Sequence, residues 1–306
     1  MKKTLIAIAA LAVVGAASAQ VTLSGGVRAA VQNSGVSGAK TVISGNDVSM
    51  NYLAFTAKED LGNGMSATGY YMMRNNLMTG ESSSGQPATV AALGNANWRN
   101  TYAAIAGGFG EVKAGRFGLA GLYGFEPFGA TGIVLTYTDV LGGRYNAMGQ
   151  YKSPTVAGFT ATLGMTAQGV AGTEEAAWAY GDYAAGAVAA RVLYEKSQAV
   201  TADQKEAYGA GLSYDLGSAK LLAGYGKISN VVTGATTSEA YNIGATMPFG
   251  AATARLGYAH NKIGSTDMVG VGVDYNLSKT TALFGDIGKY SGNAKATFQV
   301  GFHKMF

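Results

Sequence analysis

The stretch "VTLSGGVRAAVQ" (residues 21–32) carries the pattern that decides the fold. One alternate set of its side chains is apolar: Val21, Leu23, Val27, Ala29 and Val31. The other set is small or polar and includes a single charge, Arg28. Because successive side chains of a strand point to opposite sides, the stretch predicts an amphipathic strand with Arg28 on its polar face.

The same alternation recurs along the chain, in "FTATLGMT" (159–166), "AYGAGLSY" (207–214), "EAYNIGATM" (239–247) and "MVGVGVDYNL" (268–277). Tight turns such as "YDLGSAK" (214–220) alternate with longer polar stretches. Short turns at one end and long loops at the other are typical of outer-membrane barrels. We therefore predict an all-β fold, a transmembrane antiparallel up-and-down β-barrel of about 16 strands, wide enough to hold an aqueous channel.

The composition is poor in charged residues, which indicates that part of the surface is not in contact with water. The chain has 306 residues, of which 48% are hydrophobic and 13% charged, and it has no cysteine. This charged fraction is about half that of a soluble domain. The absence of cysteine excludes disulfides and thiolate metal sites, and we expect neither a metal nor a cofactor. A formal net charge of +4 without a basic run argues against a nucleic-acid partner.

The first residues, "MKKTLIAIAALAVVGAASAQ" (1–20), have the pattern of a secretory signal peptide. Lys2 and Lys3 precede an apolar run, and Ala17-Ser18-Ala19 forms a small-residue cleavage site. We expect residues 1–19 to be removed and residues 20–306 to form the barrel. No later apolar run is long enough for a membrane-spanning helix. An exported chain of this kind is expected in the outer membrane of a Gram-negative bacterium.

Charged residues on the strands indicate which face lines the channel. A Lys or Arg facing lipid at mid-membrane costs about 2–4 kcal/mol, so these side chains are expected to point inward. The predicted lumen charges are Arg28, Lys58, Arg74, Arg99, Arg144, Arg191, Arg255, Asp274 and Asp286. The lumen is therefore expected to be net basic. Arg116 shares its parity with Val112 instead, which indicates either an arginine that snorkels near a rim or a contact between subunits.

Aromatic residues near the strand ends are expected to form girdles at the two membrane interfaces. Those assigned to the outward parity are Tyr151, Phe159, Trp178, Tyr180, Tyr214, Tyr258, Tyr275 and Phe302.

Residues 118–143 do not alternate and are long for a loop in a compact fold, which indicates a functional role. We expect this segment to fold inward as a constriction loop, with its apolar side chains against the wall. Glu126 and Asp139 would then face the channel. Acids on the loop and arginines on the wall would create a transverse field that sorts small ions.

The chain resembles the trimeric general-diffusion porins of Gram-negative bacteria, most closely their betaproteobacterial branch. The resemblance rests on "KEDLGNG" (58–64), "RNTYAAIAGGFGEVKAGRFG" (99–118), "RYNAMGQYKSPTVAGF" (144–159) and "TFQVGFHKMF" (297–306). It implies that Arg99 and Arg144 are wall arginines of the constriction, and that Glu126 is its acid. It also implies a homotrimer in which Arg116 meets an acid from a neighbouring subunit, for which Glu81 is the candidate.

The same resemblance implies that Phe306 is part of a signal read by the barrel-assembly machinery. The chain departs from the family at two positions. Relatives often carry Asp where this chain has Arg28, and arginine where it has Tyr52. One basic group is thus absent from the second strand and another is present on the first.

The predicted function is passive diffusion of small hydrophilic solutes and ions through an outer-membrane channel with mild anion preference. One alternative is a substrate-specific channel with a saturable site, although the inward positions are mainly Gly, Ala, Thr and Arg. A barrel enzyme is a further alternative, but His260 and His303 have no obvious catalytic partners in the sequence. A surface adhesin would use the long loops. We expect outer-membrane lipids as the surroundings, and no enzymatic activity.

Overall fold

The structure, a computed structural model, describes residues 20–45, 51–78, 98–128, 143–167, 175–198 and 204–306. The predicted signal peptide lies outside these residues. Within them, one antiparallel sheet contains 17 strands, of which Val42–Ser44 has only 3 residues. The strands are β1 (Gln20–Asn33), β2 (Val42–Ser44), β3 (Tyr52–Gly62), β4 (Met65–Arg74), β5 (Trp98–Gly107), β6 (Gly110–Gly118), β7 (Arg144–Lys152), β8 (Phe159–Thr166), β9 (Glu175–Ala185), β10 (Val188–Gln198), β11 (Gln204–Asp215), β12 (Lys220–Asn230), β13 (Thr236–Phe249), β14 (Ala252–Asn261), β15 (Thr266–Asn276), β16 (Thr281–Tyr290) and β17 (Thr297–Met305).

The sheet closes on itself through its first and last strands. The first half of β1 pairs with β3, with Gln20 opposite Lys58. Its second half pairs with β17, with Arg28 opposite His303. The backbone N–H of Phe306 donates to the carbonyl of Gly25 at 3.0 Å, which extends this ladder to the end of the chain. The sixteen long strands therefore form a closed barrel, as the alternation predicted.

The two ends of the barrel differ in the length of their connections. At one end the strands are joined by tight turns, such as the one from Ala185 to Val188. The turn after β11 is closed by Asp215, whose carboxylate accepts the N–H of Gly217 at 2.7 Å. Gly217 has a φ of 82°, which glycine adopts without steric cost. The opposite end carries the longer connections, and we call it the loop end.

The outer face of the barrel is apolar. On β15, Val269 and Val271 are 57% and 53% exposed, whereas Gly270 between them is buried. The strands β8 and β11 alternate in the same way. Since only closed barrels and helices satisfy all backbone groups in lipid, an apolar exterior on a closed barrel indicates a membrane-spanning domain. No helix in the described ranges is long and apolar enough to cross a membrane.

The predicted aromatic girdle is correct except on β9. Tyr151, Phe159, Tyr214, Tyr275 and Phe302 are exposed on the outer face, and Tyr258 shares the outward parity of Leu256. The assignment of Trp178 and Tyr180 to the outer face was wrong, because they are only 3% and 9% exposed and belong to an interior apolar cluster. On β9 the neighbouring outward positions are filled by small residues, Ala177 and Ala179.

Two of the register shifts near the loop end bear on the predicted channel arginines. Met72 lies opposite Asn100 and Met73 opposite Trp98, so that Arg99 lies in a β-bulge without a partner across the ladder. On β7 the register shifts next to Ala147, whose φ is 50°. Arg99 lies in the first bulge, and Arg144 lies beyond the second, next to the buried Tyr145, so the alternation of the regular strands does not by itself place either side chain in the channel.

Candidate channel constriction

The segment that enters the barrel follows β6. Residues 119–128, which we call the inward segment, include one 3-10 turn at Tyr123–Phe125. Leu122 is fully buried, and Phe125 and Phe128 are 8% and 3% exposed. Residues 129–142, including Asp139, lie outside the described residues. The described part of the predicted constriction loop thus lies inside the barrel, packed against its wall.

The wall supplies the apolar partners of the inward segment. Leu119, Leu122 and Phe125 belong to one buried cluster with inward residues of β6 to β11, namely Phe117, Tyr145, Met148, Ala176, Trp178, Tyr180, Leu193 and Ala207. Tyr145 donates a hydrogen bond to Glu195 within this region. The inner aromatic residues therefore face an apolar loop instead of water, which explains their burial.

Two polar side chains of the wall hold the backbone of the inward segment. Asn242 Nδ2 donates to the carbonyl of Phe125 at 3.0 Å. Arg191 donates through Nη1 to the carbonyl of Gly121 at 2.8 Å and through Nε to Asp182 at 2.6 Å. Arg191 is inside the barrel, as predicted from parity, but its contacts show an anchor for the loop.

Glu126 differs from the expectation that its carboxylate faces the channel. The residue, which is part of the inward segment, is 5% exposed and therefore buried. A carboxylate that faced the water of the channel would be more exposed than this. Glu126, the acid that the resemblance assigns to the constriction, is therefore buried and does not face the channel.

Arg28 lies inside the barrel and is 4% exposed. Its guanidinium carbon is 3.9 Å from the centre of the Phe284 ring, a cation–π contact. Arg255, on β14, bonds to Asp274 at 3.1 Å and to Asp286 at 2.8 Å. We call Arg28, Arg255, Asp274 and Asp286 the neutralised network, since two arginines and two carboxylates balance in charge.

The network has further support from β17 and from the inward segment. Gln299 Nε2 donates to the second oxygen of Asp286 at 2.6 Å. The guanidinium carbon of Arg255 is 5.5 Å from the centre of the Phe128 ring. Buried charges are tolerated when they are paired and fully hydrogen-bonded, and this group meets that condition at Asp286.

A second group of arginines lies where β4, β5 and β7 meet the loop end. Arg74 ends β4, Arg99 lies in the bulge of β5 and Arg144 begins β7. We call these three the loop-end arginines. Arg144 Nε donates to Asn100 Oδ1 at 2.8 Å. Its positive charge interacts unfavourably with those of Arg74, Arg99 and Arg116, which places the four guanidinium groups near one another.

The loop-end arginines have no carboxylate partner among the described residues. Nε and Nη1 of Arg74 and Nε of Arg99 are buried and make no hydrogen bond there. A buried cationic donor without a partner is unfavourable unless water or an anion satisfies it.

Lys113 is an interior cation that parity alone would also have found. Its Nζ lies 4.4 Å from the centre of the Phe117 ring and 5.2 Å from that of Tyr102. Tyr102 in turn stacks on Tyr70, with ring centres 4.9 Å apart. Lys58 also has inward parity, next to the tight-turn end of β3, and is exposed.

Arg116 shares the outward parity of Val112, which is 52% exposed. Its Nη1 donates to Asn146 Oδ1 at 2.6 Å. Glu81, the residue proposed to meet it, lies outside the described residues. At the other end of the chain, Phe306 is 56% exposed and its backbone is bonded to Gly25.

The profile of the Gram-negative porin family matches residues 4–295. The chain belongs to this family. It is 30% identical to outer membrane porin protein 32 of Delftia acidovorans, across 94% of this chain and 89% of that protein. It is 26% identical to the major outer membrane protein P.IB of Neisseria gonorrhoeae, across 97% of this chain and 95% of that protein.

Solved structures agree with the fold. The anion-selective porin from Comamonas acidovorans superposes with a TM-score of 0.77 at 24% identity, covering 94% of this chain and all of that one. The trimer form of OmpT from Vibrio cholerae gives a TM-score of 0.66 at 13% identity over 94% of this chain and 100% of that one. This porin therefore lies in the outer membrane and forms a channel for passive diffusion of small hydrophilic solutes and ions.

Proposed function

We propose that this porin is a homotrimer with mild selectivity for anions, exported with residues 1–19 as its signal peptide. The observation that supports the selectivity is the imbalance between its two arginine groups. The neutralised network carries no net charge, whereas the loop-end arginines have no carboxylate among the described residues. Because a low-dielectric wall focuses the field of such charges, they raise the local concentration of anions.

The inward segment strengthens this field in the proposal. Glu126 is enclosed, so its negative charge is held away from the water column. The anchoring of Arg191 to Asp182 and Gly121 removes another charge from contact with passing ions. The charges on which this proposal rests are Arg74, Arg99 and Arg144 at the loop end, together with the exposed Lys58 near the tight-turn end.

The test is the reversal potential of single channels in a planar bilayer under a KCl gradient. We expect an ohmic conductance and a reversal potential of the sign that chloride permeation gives. A reversal potential favouring potassium would leave the diffusion channel in place and overturn the charge assignment. A folded protein that does not conduct would overturn the channel itself.

A substrate-specific channel is the second candidate, favoured by the stacked pair of Tyr70 and Tyr102 on the inner wall. The sequence predicts mainly small residues and arginines at inward positions, and this pair is an exception. Aromatic faces bind planar solutes by stacking. Saturable block of the conductance by one solute, removed by Tyr70→Ala, would support this candidate. A block of the conductance that rises linearly with concentration for every solute tested would exclude the substrate-specific channel.

The trimer is proposed from the resemblance and from the position of Arg116 on the outer face. We expect Arg116→Gln and Glu81→Gln each to lower the temperature at which the trimer dissociates on a gel. If the two side chains meet across subunits, the double variant should dissociate like the single ones. Lys279→Gln, a change of charge in an exposed turn, is the control. Additive effects would show that the pair is not in contact.

No catalytic role is proposed for the histidines. His260 Nδ1 lies 2.9 Å from Asp267 Oδ1 on the outer side of β14, and the ring of His303 stacks against Phe284. Neither arrangement offers a nucleophile beside a base. Phe306 is proposed to act with the barrel-assembly machinery in the membrane. Its removal should reduce the amount of folded porin in the outer membrane without changing the conductance of channels that form.

A further inference from the structure

The inner faces of β11 and β14 contain glycines directly under the inward segment. A Cβ built on Gly211 would overlap the ring of Phe125. A Cβ built on Gly257 would lie 2.6 Å from Pro127 Cγ and 3.2 Å from Phe128 Cε2. At both positions the three nearest atoms belong to the inward segment and none belongs to the barrel wall. The inward segment is thus in contact with bare backbone at these two places.

The strands themselves do not require glycine at either position. Neither residue has a positive φ, and both lie inside regular antiparallel ladders. Glycine in a strand interior is unfavourable because it adds backbone entropy to the unfolded chain and packs no side chain. It is found there when another group must approach closely. The group that approaches here is the inward segment.

Gly244 on β13 is close to the barrel wall as well as to the inward segment, unlike Gly211 and Gly257. A Cβ at this position would lie 2.5 Å from Pro127 Cγ, but also 2.5 Å from the carbonyl oxygen of Leu256 on the next strand. A side chain at Gly244 would therefore disturb the sheet as well as the inward segment. Gly211 and Gly257 are therefore the positions at which the loop contact can be changed alone.

The same face also fixes the segment along the wall. Asn242 on β13 holds the carbonyl of Phe125. The ring of Phe128 lies against Arg255, which is held by Asp274 and Asp286. With the backbone held laterally, the distance between the segment and the wall is set by what lies beneath Phe125 and Pro127.

We propose that Gly211 and Gly257 are sockets that determine the free cross-section of the channel. Phe125 is seated over Gly211, and Pro127 and Phe128 over Gly257, so the segment lies as close to the wall as the backbone allows. A methyl group in a socket displaces the segment toward the channel axis by about 1 Å, since carbon atoms prefer separations of about 3.5–4.0 Å. The two glycines thereby set the size limit for solutes. This inference rests on the proposed diffusion function.

The experiment compares Gly211→Ala and Gly257→Ala with Gly69→Ala in planar bilayers and in vesicles loaded with neutral sugars of increasing size. Gly69 is also within a strand, and a Cβ there meets nothing within 4 Å. We expect each socket variant to lower the single-channel conductance by roughly a quarter and to slow the larger sugars most, as pore diameter dictates. Gly69→Ala should match the wild type.

A second variant covers the case in which a socket variant folds poorly. Pro127→Gly removes the Cγ atom over Gly257, so Gly257→Ala should have a smaller effect on conductance in the Pro127→Gly background than in the wild type. Heat-modifiable migration on gels verifies that each variant is folded. Wild-type conductance and sugar permeation in folded Gly211→Ala and Gly257→Ala would overturn the inference. Failure of the wild type to conduct would instead overturn the proposed function.

Discussion

The two arginine groups of this barrel are built from the same residue type and behave differently. In the neutralised network, Arg255 is bonded to two carboxylates, and Arg28 lies against the Phe284 ring. At the loop end, Arg74, Arg99 and Arg144 repel one another and have no carboxylate partner within the described residues. We infer that breaking the first arrangement would cost stability, and we propose that the second keeps a field available to ions.

The difference shows that inward parity alone does not assign a role to a charge. An arginine that is paired and buried has little effect on a passing ion, because its field is cancelled within a few ångström. An arginine that lacks a carboxylate costs stability and retains its field. Removing a residue from each group should therefore change different properties of the porin.

The largest effect is expected from breaking the neutralised network at Asp286, whose side chain is 1% exposed. Asp286→Ala leaves Arg255 with one carboxylate and removes the hydrogen bond that Gln299 Nε2 donates to Asp286. The free energy of unfolding from lipid vesicles in urea should fall by about 3–5 kcal/mol, the usual cost of breaking a buried pair. An unchanged stability would show that the two arginine groups do not differ in the way described.

The next effect concerns the ring beneath Arg28. Phe284→Leu removes the cation–π contact and should lower the free energy of unfolding by about 1–2 kcal/mol. The control is Leu283→Val, because Leu283 is the adjacent residue and faces outward, 46% exposed. Urea unfolding of the two variants under the same conditions provides the comparison. Equal losses would indicate a general effect on β16 instead of a contact with Arg28.

Removing the charges of the loop-end arginines should change selectivity and should not lower stability. In the triple variant Arg74→Gln, Arg99→Gln and Arg144→Gln, we expect the chloride-to-potassium permeability ratio to fall roughly fivefold, which corresponds to about 1 kcal/mol. Reversal potentials measure this ratio, and urea unfolding of the same variant should give a free energy of unfolding equal to or above that of the wild type. A large loss of stability with unchanged selectivity would show that the loop-end arginines stabilise the barrel and do not set its selectivity.

The smallest effect uses salt instead of mutation. The Debye length is about 10 Å at 0.1 M and about 3 Å at 1 M ionic strength. Chloride preference, measured with a constant concentration ratio across the bilayer, should therefore approach neutrality as the mean KCl concentration rises to 1 M. The triple arginine variant should show little dependence on salt. A preference that persists at 1 M would point to direct binding of anions in place of a screened field.

Much of the fold could be predicted from local sequence. Alternation in the strands is a property of the backbone, since each successive side chain changes face, and a lipid exterior makes the apolar face unambiguous. The closed barrel, the tight turns at one end and the inward parity of Arg28, Arg191 and Arg255 all follow from this rule. Motifs along the chain were also sufficient to indicate the porin family.

The site was less predictable, because its contacts join residues far apart in sequence. On β9 one face carries Ala177 and Ala179 and the other Trp178 and Tyr180, and alternation does not say which is inside. The inward segment decides it, by supplying Leu119, Leu122 and Phe125 as partners for the aromatic side chains. Asp182, which shares the parity of Trp178 and Tyr180, was the sequence signal that could have corrected the assignment.

The sequence by itself determined a closed amphipathic barrel with charges inside and a segment that does not alternate, because these depend on periodicity and on the cost of a charge in lipid. Only the tertiary structure decided which charges are cancelled and which are not. It paired Arg255 with Asp274 and Asp286, enclosed Glu126, and shifted the register by bulges at Arg99 and Ala147. The physical reason is that the field at a point in the channel is a sum over groups from distant strands, and their separation exists only in the folded barrel.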